Sequence, residues 1–181
     1  MKNFIFALPA ALLILSCSTN SIRNEVGPTE KLNQYRNIHT GWINLNPGDW
    51  KKYGFENQGL WTSQIKDNNT LGFQKYLQSN LADRKITGAA APNDTAKKGN
   101  LYIGFNVVEY KVTYGVSFSG MDELYLDVNM IDVAKNKSVY KATIMVEGFA
   151  PFPRNWKGAT FDGRVDNMMY NLANLLTKKL R

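Results

Sequence analysis

A stripe of apolar residues near the end of the chain is its firmest pattern. Val165, Met168, Met169, Leu172, Leu175 and Leu176 recur at spacings of three and four, which puts them on one face of a helix from about Phe161 to Lys179. Lys178, Lys179 and Arg181 then lie where the helix dipole favours positive charge. A second helical pattern sets Phe73, Leu77 and Leu81 four apart, with Tyr76 beside them. Asn68, Asn69 or Thr70 can cap its start, and Gly72 weakens its first turn.

Alternation with period two predicts strands. Leu124, Leu126, Val128 and Met130 alternate with Tyr125, Asp127 and Asn129, and Tyr140, Ala142, Ile144 and Val146 alternate after a Lys135-Asn136-Lys137 turn. From Leu101 to Tyr114 the apolar positions change phase, and a β-bulge near Val107-Val108 would return both halves to one face. These three strands read as an antiparallel meander. Ile38 to Leu45, ending at Asn46-Pro47-Gly48, predicts an earlier strand, and Ala89 to Lys98 a loop. Strand, helix, three strands, helix predicts an α+β two-layer sandwich: a mostly antiparallel sheet with both helices on one face.

The first residues carry a different signal. Lys2 is followed by an apolar run from Phe4 to Leu15, broken only by Pro9, then by Ser16 and Cys17. The run falls short of the roughly 20 residues that a membrane span needs and reads as a secretory signal. With cysteine at the cut site it resembles the lipobox of bacterial lipoprotein precursors, although Ile14 stands where leucine is commoner. That resemblance implies removal of residues 1–16, a thioether-linked diacylglycerol on Cys17, and an acyl chain such as palmitate on its amine. Several chains anchor a protein stably. Ser18, rather than aspartate, follows the cysteine, which implies the outer membrane and a periplasm-facing domain. Residues 18 to about 31 are polar, contain Gly27-Pro28 and lack apolar periodicity, so 17–33 is expected to be a flexible tether and 34–181 one domain. With this order of elements, an aromatic loop before the first helix and the Lys-Asn-Lys turn, the chain is similar to several groups of small envelope lipoproteins. They include auxiliary lipoproteins of transport systems, lipoprotein activators of cell-wall synthases, and other outer-membrane lipoproteins. The likeness implies a binding or scaffold role, since fold alone carries no sharper function.

Charge and chemistry narrow the picture. The net charge of +7 suits a surface held near anionic lipids or acidic polymers, and an exported chain makes nucleic acid a poor partner. One cysteine, committed to acylation, leaves no internal disulfide. A single His and that cysteine cannot supply the usual nitrogen and sulfur ligands of a metal site. Asp127, Asn129 and Asp132 do not share a face and lack the calcium-loop order, so they are expected at solvated strand positions. His39 stands outside any nucleophile elbow and is expected to be structural or at the surface. Nothing singles out Glu56, Asp122, Glu123 or Glu147 as a catalytic pair, and residues 158–163 are not a phosphate loop. No cofactor is implied.

Two aromatic segments remain, Pro47 to Trp61 and Phe149 to Trp156, the second stiffened by Pro151 and Pro153. Aromatics with arginine are enriched at binding hot spots, which nominates Trp50, Tyr53, Phe152, Arg154 and Trp156 as partner-binding residues. The competing expectation is that these rings fold back over the sheet or a helix end. The resulting reading is a lipid-anchored, non-enzymatic accessory or scaffold component of a cell-envelope assembly, working through protein contacts. A carrier of a small apolar or lipid ligand is the alternative, followed by a cell-wall hydrolase.

Overall fold

In the computed structural model, residues 20–45, 57, 59, 67–88, 100–111, 122–150 and 153–181 are described. Their strands are β1 (Ser21–Val26), β2 (Asn37–Thr40), β3 (Lys85–Gly88), β4 (Asn100–Lys111), β5 (Glu123–Asp132) and β6 (Lys137–Glu147). The helices are α1 (Asp67–Asn80) and α2 (Phe161–Leu180). The sheet order is β1-β6-β5-β4-β2-β3. β4, β5 and β6 form the expected antiparallel meander, β1 adds antiparallel to β6, and β2 lies parallel to both β3 and β4. The fold is α+β, and among the described residues it has a mixed, mostly antiparallel sheet with α1 and α2 packed on it.

One core joins the layers. Leu101 and Ile103 from β4, Leu126 and Met130 from β5, and Ile144 from β6 are fully buried with Phe73 and Leu77 of α1 and Met168, Leu172 and Leu176 of α2. Each such side chain contributes on the order of 2 kcal/mol by leaving water. Both helices therefore cover the same sheet face, and they run side by side in the same direction. Tyr76 reaches Asp166, and one turn later Asn80 donates to Asn174 and Thr177. The helix N-termini share one end of the sandwich with the end of β6 and the start of β5. Their C-termini share the other.

The phase change in β4 is a bulge. Its register shifts between Val107 and Glu109, leaving Val108 55% exposed while Phe105, Val107 and Tyr110 all pack against the core. The first predicted strand is shorter than expected, since pairing in β2 ends at Thr40, although Ile43 and Leu45 stay buried.

Two expectations are corrected. The stretch read as tether holds an edge strand: Ser21 and Ile22 pair with Met145 and Ile144, and Leu32 and Tyr35 lie in the core. The packed chain thus begins before residue 34. The strand lacks an alternating signal because it is bent: Asn24 takes φ +49° and the register shifts between Arg23 and Val26. Asp132, expected in solvent, is buried and accepts from the Tyr35 hydroxyl at 2.8 Å, with the Lys135 ammonium at 3.2 Å. Burial, and then the bond to Asp132, push the Tyr35 hydroxyl far up from its ordinary pKa.

Candidate functional site

At the end of β6 the chain must turn from the sheet onto α2, and three polar side chains of that helix fix the turn. Asn167 donates to the Gly148 carbonyl at 3.0 Å, and Asn171 donates to the carbonyls of Glu147 at 3.0 Å and Phe149 at 2.6 Å. Arg164 donates from Nε to Asp122 at 2.7 Å, with its side chain 8% exposed and that of Asp122 fully buried. Positions 164, 167 and 171 share one helix face, so this stripe is a polar counterpart to the leucine stripe. Gly148 passes close beside the ion pair: a Cβ there would stand 2.8 Å from the Arg164 Cβ. A short 3-10 turn, Asn155–Ala159, leads into Thr160, whose hydroxyl caps α2 by accepting from the Gly163 amide at 3.1 Å.

That turn carries the candidate surface. Arg154 donates to Asp166 at 2.5 Å and to the Tyr76 hydroxyl at 2.9 Å, and Lys157 donates to Asp166 at 2.8 Å. The Arg154 guanidinium also lies 4.8 Å from the Tyr76 ring centre and 4.5 Å from that of Tyr170. These two rings meet edge to face with centres 5.5 Å apart. Arg154 is therefore built into a knot joining the turn to both helices. Trp156, in the middle of the turn, is 71% exposed. The two residues nominated together have opposite roles in the packing.

Burial opposes ionisation of Asp166, but hydrogen bonds from Lys157 and Tyr76 and the charges of Arg154 and Lys157 outweigh it and lower its pKa. Burial, and then the bond to Asp166, raise the Tyr76 hydroxyl. A carboxylate with a depressed folded pKa contributes stability above its unfolded value, and that contribution is lost as pH falls through the folded value. Acid titration of the melting temperature should thus show a loss below about pH 4 that is smaller in Asp166→Asn. An identical acid profile in the variant would show that Asp166 carries none of it.

The chain enters the sheet at this same end. The Asn20 side chain accepts from the Glu147 amide at 2.9 Å, immediately before the turn. Cys17 stands three residues earlier, and with Trp50, Tyr53 and Phe152 it lies outside the described residues. His39 lies in β2, its Nδ1 2.7 Å from the Thr87 hydroxyl; burial, then the charge of Lys85, lower its pKa. Among the described residues no three His, Cys, Asp or Glu side chains gather as a metal site, and no helix is long and apolar enough to cross a membrane. Asp166 and Tyr170 were not singled out from sequence, and Tyr76 was read only as part of the first helical pattern. Helical spacing puts Asp166 and Tyr170 on one face, but their meeting with Tyr76 depends on how the helices pack.

No protein-family model matches the chain, and no curated protein matches it. The solved structures do show a likeness of fold. The PelC dodecamer from Paraburkholderia phytofirmans aligns with TM-score 0.53 at 12% identity, covering 90% of this chain and 99% of that one. A single-substitution variant of that dodecamer aligns with TM-score 0.53 at 13% identity over the same shares. A candidate lipoprotein from Caulobacter crescentus CB15 aligns with TM-score 0.38 at 14% identity, covering 83% and 89%. At these identities the PelC likeness establishes a shared fold.

Proposed function

We propose that the protein is a lipid-anchored, non-enzymatic accessory component of a cell-envelope assembly. Its working surface is the end of the sandwich where the chain enters, with Trp156 as the anchor for a membrane-seated protein partner. The observation that carries this reading is the bond from Glu147 to Asn20. Three Cα steps separate Asn20 from Cys17, a reach of at most about 11 Å. A lipid on Cys17 would therefore hold this end, and the Trp156 turn with it, close to the bilayer, with no long tether to let the domain wander. An indole that is 71% exposed on a turn fixed by the Arg154 knot is pre-organised for contact, which reduces the entropy lost on docking. The fold neighbour PelC is itself an oligomeric assembly, which accords with a role built on protein contacts. His39, the sole imidazole in the sequence, is bonded to a strand hydroxyl, an arrangement that suits a structural part and not a general base.

Paired substitutions test the surface. Trp156→Ala should sharply reduce the partner recovered by crosslinking in membranes and leave the melting temperature nearly unchanged, because the ring is mostly in water. Arg154→Ala should lower stability by roughly 1–3 kcal/mol, as it removes charged hydrogen bonds and two ring contacts. Full crosslinking by Trp156→Ala at wild-type stability would exclude this surface.

A further inference from the structure

At the far end of the sandwich, where both helices stop, three arginines converge from separate elements. Arg36 precedes β2, Arg84 precedes β3 and Arg181 follows α2. They line a pocket of about 540 Å³ together with Asn33, Gln34, Asn80 and Asp83. Two of them also close the helix ends. Arg84 donates from Nη2 to the Leu180 carbonyl at 2.6 Å, and Arg181 donates to the Asn80 carbonyl at 3.2 Å.

Capping accounts for only part of Arg84. Its side chain is 4% exposed, yet its Nε and Nη1 atoms are buried without a hydrogen-bond partner. The Asp83 carboxylate stands 3.9 Å from Nε, outside hydrogen-bond reach, and instead binds Arg36 at 2.5 Å in a pair exposed on both sides. Buried guanidinium donors are costly to leave unmet, and here two further guanidinium groups border the same pocket with Asp83 as its one acidic side chain. Burial, then the charges of Arg36 and Arg181, lower the Arg84 pKa against the opposing pull of Asp83. A bound anion would relieve the crowding of positive charge, and a shift of the Arg84 side chain toward the pocket would bring its unmet donors to that anion.

We propose that this pocket binds a phosphate-type oxyanion, with Arg84 as its buried donor and Arg36 and Arg181 as its exposed clamps. Arginines approaching from three directions suit a tetrahedral group whose oxygens accept on every side, better than a planar carboxylate met from one edge. The amides of Asn33 and Gln34, which also line the pocket, can hydrogen-bond the polar remainder of a phosphate ester. The site does not depend on the partner surface described above, which lies at the opposite end of the helices.

The test uses the full chain in detergent, titrated with inorganic phosphate at ionic strength held constant with chloride. Phosphate should bind saturably and raise the melting temperature as mass action requires. Arg36→Gln and Arg181→Gln, both at exposed positions, should each weaken binding about ten-fold while leaving the unliganded melting temperature within a few degrees. Arg84→Gln should abolish binding, but it also uncaps α2, so the two exposed variants carry the decision. Glycerol 1-phosphate distinguishes the source. Tighter binding than phosphate indicates an ester read by these amides, and equal binding indicates the phosphate group alone; both support the site. Stabilisation by phosphate no greater than by chloride, or undiminished binding in both exposed variants, would overturn it.

Discussion

Asp122→Ala should lower stability by roughly 3–5 kcal/mol, because it strands the Arg164 charge in a site where water cannot replace the lost carboxylate. Asp122 is fully buried and receives the Arg164 Nε at 2.7 Å, and its backbone carbonyl accepts from the Gly148 amide at 2.8 Å. The ion pair therefore sits between the start of β5, the end of β6 and the first turns of α2. For a chain of this size the loss corresponds to about 6–20 °C in melting temperature. The effect should belong to the broken pair and not to the pair's net worth. Asp122→Leu combined with Arg164→Met should recover most of the stability, since burying two ions costs nearly what their attraction returns. Thermal unfolding of the single and double variants decides this. A single variant within 1 kcal/mol of wild type would mean that Arg164 finds another partner or reaches water.

What could be read from the sequence follows the range of the forces involved. The leucine stripe of α2, the alternation of β5 and β6, and the phase change in β4 are each set by neighbours a few residues away, and the structure keeps all of them. The bulge was legible because Val107 and Val108 cannot both face the core of an unbroken strand. β1 and β3 were not legible, because their pairing is borrowed. β3 has four residues and is held by Gln78 of α1, which donates to the Arg84 carbonyl at 2.8 Å and accepts from the Ile86 amide at 3.0 Å. β1 has only Ile22 turned toward the core, so its composition reads as polar linker although β6 offers it a free edge.

The candidate surface divides in the same way. Composition placed Arg154 and Trp156 together as partner contacts, and nothing local separates them. The separation comes from Tyr76, Asp166 and Tyr170, which lie 78, 12 and 16 positions from Arg154 and converge on it only once the helices lie side by side. Asp132 fails for a related reason. Alternation correctly put it on the face opposite Asp127, but that face is the core, where Tyr35 from outside the meander supplies its partner.

Leu172→Ala carries the other large effect, an expected loss of about 2–5 kcal/mol. Leu172 is fully buried at the middle of the α2 stripe, with Met168 and Leu176 one turn away on either side and Phe73 and Leu77 from α1 in the same core. Truncation removes three carbons' worth of transfer free energy and leaves a cavity between layers that are each rigid in a different way. The sheet below is fixed by its hydrogen-bond ladders, and α1 beside it in the helical layer is fixed to α2 by Tyr76 and Asn80, so neither can settle into the gap. The cost should therefore fall in the upper half of the range. Leu175→Ala, on the same helix but only half-buried, is the control and should cost clearly less. Denaturant unfolding of the two variants side by side measures the difference. Equal losses would mean that α2 is held to the sheet by its polar stripe of Arg164, Asn167 and Asn171 and not by its leucines.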